Sequence, residues 1–166
     1  MAALYLPDAL PDSKQYDKSK ILNMLLIHDL GEYQTGDIAR SDKERQQLLY
    51  DSQENMVMQS IVLSGTYPSA QNLSFLSQCW DDWFYLKDIN FDIAKDIDNI
   101  QAIYQFCKYS SMDDTLFDYD DAKEWLDEIF EIKTSVCRII VKKVIIDNPA
   151  FEGIISKFGE EYEYYE

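Results

Sequence analysis

Between Phe91 and Tyr109, the residues Ile93, Ile97, Ile100, Tyr104 and Cys107 recur at spacings of three and four. That is the 3.6-residue period of an α-helix with one face turned to a core. The same spacing returns wherever apolar residues gather. Ile21, Met24, Leu25 and His28 share a face from Lys18 to Leu30, and Leu48, Leu49, Met56, Val57 and Ile61 follow in a segment ending near Leu63. Leu73, Leu76, Trp80, Trp83 and Phe84 give a broad apolar face between Asn72 and Lys87. Trp125, Ile129, Ile132, Val136, Ile139 and Ile140 predict one long helix from Asp120 to Asp147. Ile139-Ile140-Val141 and Val144-Ile145-Ile146 have strand-like composition, but Lys142 and Lys143 between them and the pattern ahead of them fit a helix. The expected fold class is therefore all-α, a helical bundle.

Local signals set the helix ends. Gly31 is a helix stop after Leu30. Ser41-Asp42-Lys43-Glu44 is a capping box that opens the next helix. Ser64 to Ser69, with a glycine and a proline, is a loop, and Ser110 to Tyr119 is a polar, acidic connection. Lys142 and Lys143 complement the dipole at the end of the long helix. Asn148 as cap and Pro149 at the first position start a last short helix, with Phe151, Ile154, Ile155 and Phe158 on its apolar side. Residues 1–17, with Pro7 and Pro11, read as a helical stub and a loop. A chain of 166 residues fits one domain. We place it at residues 1–158 and treat 159–166 as an acidic tail.

Charge narrows the partners. With 31 acidic against 15 basic residues, the net charge is −16. A surface of that sign repels nucleic-acid backbones and anionic membranes. It admits a small phosphate ester where a bound cation reverses the local field. Cys79, Cys107 and Cys137 are far apart and form no CxxC pair, so they read as buried free thiols of a reducing compartment. No signal peptide and no uncharged run of membrane-spanning length is visible. The expected location is cytoplasmic.

The chemistry gathers in Leu26-Ile27-His28-Asp29-Leu30-Gly31-Glu32-Tyr33-Gln34-Thr35-Gly36-Asp37-Ile38, which holds the chain's one histidine. Imidazole and carboxylate are ligands suited to divalent transition metals. A further carboxylate close by can act as general acid or base. His28 falls on the inward face at a helix end. Taken alone, it also reads as a hydrogen-bonded core histidine, and Glu32 and Asp37 as turn carboxylates. A second acidic block, Ala94-Lys95-Asp96-Ile97-Asp98-Asn99, lies on the Phe91–Tyr109 helix. Asp98 falls beside the buried stripe and is the inward ligand candidate. Asp92 and Asp96 read as a solvated face, and Lys95 as an ion-pair partner for Asp92 or Asp98. Arg40, Lys43 and Arg45 lie near the histidine stretch and read as solvated first-turn charges. No glycine-rich phosphate loop and no Ser–His–Asp order appears.

His28-Asp29, Glu32, Thr35-Gly36-Asp37 and the later block ending in Asp98 resemble the HD-domain metal-dependent phosphohydrolases, in particular the branch of the 5'-deoxynucleotidases. The resemblance runs from about Lys20 to about Ser110. It implies a metal held by His28, Asp29 and Asp98, with Glu32 as proton-transfer residue and Asp37 placing water or the sugar. Oxygen and nitrogen donors without thiolate suit Mn, Co, Fe, Ni, Zn or Mg. The family also uses an earlier metal-binding histidine and a substrate-binding arginine. The segment that would carry them is expected to be absent here, since Met1 to Pro7 resembles the end of the family's preceding helix. Two functions follow from these residues. One is metal-dependent hydrolysis of a small phosphate ester such as a nucleoside 5'-monophosphate. The other is a non-catalytic HD-like helical protein that acts through binding or oligomer contacts. Broad apolar helix faces, together with the resemblance, suggest a homodimer, although a truncated bundle would also expose such a face.

Overall fold

The computed structural model describes residues 16–36, 40–64, 70–113 and 115–158. Every regular element among them is helical, as the apolar spacing predicts, and no helix among them is long and apolar enough to cross a membrane. They fall into two compact units, Ser19–Phe91 and the residues from Asp92 onward with residues 16–18. The expected helical stub and loop lie mostly outside the described residues, as does the acidic tail.

The first unit opens with α1 (Lys18–Ile27), where Ile21 and Met24 are completely buried and Ile27 nearly so. Full burial of side chains of this size contributes roughly 1.5–3 kcal/mol each. The expected helix to Leu30 does not continue as one. At His28 it tightens into a 3₁₀ turn (His28–Gly31) and then loosens into the single turn α2 (Glu32–Thr35). Gly31 is therefore not the stop: its φ of −62° is right-handed helical. Gly36 ends the run, with φ +78°, ψ 160° and its N–H on the Glu32 carbonyl at 2.8 Å. Such a backbone conformation is nearly exclusive to glycine.

Two longer helices, α3 (Arg40–Leu63) and α4 (Ala70–Tyr85), complete this unit. Arg40 and Ser41 are already helical, so α3 starts ahead of the expected Ser41 cap. Gly31 is glycine because α3 and α4 crowd it. A Cβ there would lie 2.9 Å from Cη2 of Trp80 and 3.0 Å from Cβ of Glu54. Trp80 is fixed in turn: its indole N–H donates to Oδ1 of Asn55 at 3.0 Å, and the Asn55 amide donates to the Tyr85 hydroxyl at 3.3 Å.

Helix α5 (Ile89–Met112) begins at the end of this unit and continues into the next. Asp88 caps it, accepting from the N–H groups of Asn90 (2.9 Å) and Phe91 (3.1 Å) and from the Asn90 amide (3.0 Å). The predicted stripe holds: Ile93, Ile97, Ile100 and Cys107 are buried, with Ile103 and Phe106 beside them, and Tyr104 meets Phe151 edge-on.

The second unit corrects the long helix expected from Asp120 to Asp147. It is broken into α6 (Tyr119–Asp127), which Asp118 and Asp121 cap reciprocally, and α7 (Ser135–Val141), which widens into a π-helical stretch at Lys142–Ile146. Ile129 and Ile132 are buried as expected, but in the turns between the helices. Trp125, on α6, and Ile139, on α7, both expected inside, are partly and largely exposed, whereas Val136 and Ile140 are buried as expected. The cause of the break is Asp96. This side chain, expected in solvent, is 2 % exposed. Its carboxylate accepts from the N–H of Lys133 (3.0 Å), the N–H of Thr134 (2.8 Å) and the Thr134 hydroxyl (2.6 Å). A carboxylate at that position ties down the two N–H groups just ahead of α7 and complements the positive end of its dipole.

The last helix, α8 (Glu152–Phe158), packs on α6 and starts later than expected. Asn148 forms a turn instead, accepting from the Ala150 N–H at 3.0 Å. The three cysteines are buried free thiols, as read from their spacing.

Candidate metal centre

The centre begins at the α1 end, where the backbone tightens. The Nδ1 of His28 lies 2.8 Å from the carbonyl oxygen of Leu25, one turn back. A carbonyl only accepts, so Nδ1 carries the proton and donates it. That bond fixes the tautomer and leaves the Nε2 side for a second partner. Nε2 lies 2.9 Å from Oδ1 of Asp29. Neighbouring residues on a regular helix diverge by about 100°, and the 3₁₀ turn starting at His28 is where these two side chains meet instead. The His28 side chain is mostly buried at 16 % exposure, whereas Asp29 is open at 69 %. An apolar wall therefore stands behind the pair and solvent in front.

That wall is α4. Trp83, itself buried, places its ring centroid 5.1 Å from that of His28 at a tilt of 57°. Trp80, three residues earlier on the same helix, abuts Gly31. Glu32 begins α2, one turn beyond His28, and is half-buried. Asp37 lies outside the described residues.

Asp98 belongs to the other unit, on α5. Its side chain is 34 % exposed, with Oδ2 3.9 Å from Nζ of Lys95, the pairing expected for that lysine. Asp96 and Asp98 are two residues apart and so point about 200° apart around the helix. Both Asp96 oxygens are engaged at the start of α7. Of the two carboxylates, Asp98 is the one not committed to that anchor.

Among the described residues, no three His, Cys, Asp or Glu side chains stand together as a ready cluster for an ion. The fit of a metal therefore rests on the pair. Two donors on adjacent corners of an octahedron with metal–ligand bonds of about 2.0–2.1 Å lie about 2.9 Å apart. The observed separation of Nε2 and Oδ1 is 2.9 Å. That spacing fits two ligands of one ion, and equally a direct contact between His28 and Asp29.

Residues 1–133 match the family model of the HD domain, and the chain belongs to that family. The described residues have the all-helical fold expected from the sequence. Over 99 residues it is 30 % identical to the 5'-deoxynucleotidase HDDC2 of Dictyostelium discoideum, an alignment covering 59 % of this chain and 50 % of that protein. The chain thus spans about half the length of that relative. No solved structure matches it.

Several residues of the centre escaped the sequence reading. Trp83 read only as core, and periodicity does not say which partner an apolar side chain meets. Gly31 read as a stop, because a close helix approach leaves no local signal. Asp88 carried one that was overlooked: an aspartate directly ahead of the α5 period is a common N-cap.

Proposed function

We propose that the chain is a metal-dependent phosphohydrolase acting on nucleoside 5'-monophosphates, with His28, Asp29 and Asp98 holding a divalent ion. The observation that carries this reading is the 2.9 Å separation of Nε2 and Oδ1, on a histidine whose other nitrogen is tied to a carbonyl. Family membership and the likeness to a 5'-deoxynucleotidase support it. A bound divalent ion supplies Lewis acidity, polarising a phosphoryl oxygen and making water a better nucleophile at neutral pH. Mn, Co, Fe, Ni, Zn and Mg all suit nitrogen and carboxylate donors.

The chain's own residues do the rest. His28 is held by Leu25 in the tautomer that presents Nε2. Asp29 brings negative charge to the open side, where an anionic ester is accepted only with the cation present. Glu32, one turn on, takes the proton of the attacking water, and Asp37 orients water or the sugar. By the resemblance, Asp98 of α5 would complete the set. We place these residues in a single domain over 1–158. The acidic surface disfavours polymeric nucleic acid and membranes as substrates, and the protein is expected to work in the cytoplasm as a homodimer.

A second reading, a non-catalytic HD-like binding protein, draws on the same pair, since His28 and Asp29 also satisfy each other without an ion. Phosphate release from nucleoside and deoxynucleoside 5'-monophosphates, with Mn, Co, Mg or chelator, separates the two. Hydrolysis is expected with metal only and is abolished in Asp29→Ala. No turnover with any metal supports the binding protein.

A further inference from the structure

We propose that Trp83 is a positioning residue for the His28–Asp29 pair, its indole setting the plane of the His28 ring so that Nε2 stays opposed to Asp29. This rests on the metal-holding role proposed above and adds a residue outside the ligand set. The hydrogen bond from Nδ1 to Leu25 fixes one atom of the ring. The imidazole still pivots about that bond, and pivoting carries Nε2 away from Asp29. Packing of a second ring against the imidazole restricts this freedom. Trp83 supplies it at 5.1 Å between centroids, well inside the range of interacting ring pairs.

The indole is itself held. Phe91 packs on it with centroids 5.9 Å apart at 58°, and Nζ of Lys87 lies 4.0 Å from the Phe91 centroid. A line of contacts thus runs from Lys87 through Phe91 and Trp83 to His28, all within one compact unit. Partners that orient a metal-binding histidine without touching the ion typically change metal affinity about 10–100-fold. A merely space-filling tryptophan alters stability and leaves affinity alone.

The test is Mn(II) affinity of the full chain, read from the electron paramagnetic resonance signal of the free aqua ion, well below the melting temperature. The variants are Trp83→Leu, Trp83→Phe and Asp29→Ala, with Met58→Ala as a buried control on α3 in the same unit. Trp83→Leu should weaken Mn(II) binding by about 10-fold or more, with Trp83→Phe intermediate and Met58→Ala like wild type. Wild-type affinity in Trp83→Leu overturns the positioning role. If that variant does not fold, unchanged affinity in Trp83→Phe does so. Loss of binding in Asp29→Ala with retention in both Trp83 variants defeats the positioning role alone. Absence of Mn(II) binding by the wild type defeats the metal centre along with it.

Discussion

Replacing Asp96 by alanine should destabilise the protein more than the loss of any other single carboxylate described here. The side chain is 2 % exposed and accepts three hydrogen bonds, so its removal orphans three donors at once. The Lys133 N–H is only partly buried and finds water. The N–H and hydroxyl of Thr134 are buried, at 2.8 and 2.6 Å from the carboxylate, and have no such recourse. A buried donor left unsatisfied costs about 1–3 kcal/mol, so the two together cost about 4 kcal/mol. For a chain of this length each 1 kcal/mol moves the melting midpoint by about 2–4 °C, which gives a fall of about 8–16 °C. Asp96→Asn keeps one acceptor but turns an amide N–H toward a donor, and should lose roughly half as much. Far-UV circular dichroism gives the midpoints, and hydrogen exchange at the Thr134 amide reports the anchor directly. A fall of less than about 3 °C in Asp96→Ala, or unchanged protection at Thr134, would refute the role of Asp96 in anchoring the chain ahead of α7.

Gly31→Ala and Gly36→Ala should both destabilise, for different reasons that thermal melts of the variants and their suppressors can tell apart. At Gly31 a Cβ meets Trp80 at 2.9 Å, an overpacking worth about 1–3 kcal/mol that Trp80→Phe partly relieves. At Gly36 nothing lies within 4 Å, but φ is +78°, so the cost of about 1–3 kcal/mol is purely conformational and Trp80→Phe leaves it unchanged. Burial pushes the Cys107 and Cys137 thiols up to about 12, so thiol-reactive labels at pH 8 should modify them only as fast as the protein opens. Rapid labelling of the native protein at either site contradicts that burial. Partial burial works against the charge of Asp88, but the Phe91 N–H, the Asn90 amide and N–H, and Lys20 together hold its carboxyl below the usual carboxylate range. Its contribution is therefore complete above the unfolded-state pKa and disappears as pH falls through the lower folded-state value. Asp88→Asn keeps a capping side chain and should flatten the acid limb of the stability curve, whereas an unchanged acid limb rules the linkage out.

The helical period carried most of the fold, because a buried stripe is written in the order of residues. Ile93, Ile97, Ile100 and Cys107 are inside for that reason, and so are Ile21, Met24, Trp80 and Trp83. The period failed where a distant side chain competes with the local pattern. From Trp125 to Ile140 the apolar spacing is nearly continuous, yet the chain leaves the helix so that Lys133 and Thr134 can donate to Asp96, 37 and 38 residues away. Beyond the break Val136 and Ile140 are still inside, but Ile139, next to Ile140 on the same short helix, turns outward. Asp96 itself was legible: it lies three residues after Ile93 and four before Ile100, within the stripe, and its charge led to its being read as solvated. At the metal centre, the pairing of His28 with Asp29 was legible as chemistry but not as geometry. A regular helix would have splayed the two side chains; they meet in the 3₁₀ turn between α1 and α2, whose last residue, Gly31, is crowded by Trp80 and Glu54.

The proposal that His28, Asp29 and Asp98 hold one ion is tested most directly by the visible spectrum of the Co(II)-loaded protein. Cobalt bound by an imidazole and two carboxylates gives a d–d absorption that reports each ligand. The spectrum should appear at one equivalent of Co(II), and it should shift or vanish in His28→Ala, Asp29→Ala and Asp98→Ala alike. It should be unaffected in Asp92→Ala, which alters a carboxylate on the same helix as Asp98. A wild-type spectrum that Asp98→Ala leaves untouched would contradict the claim.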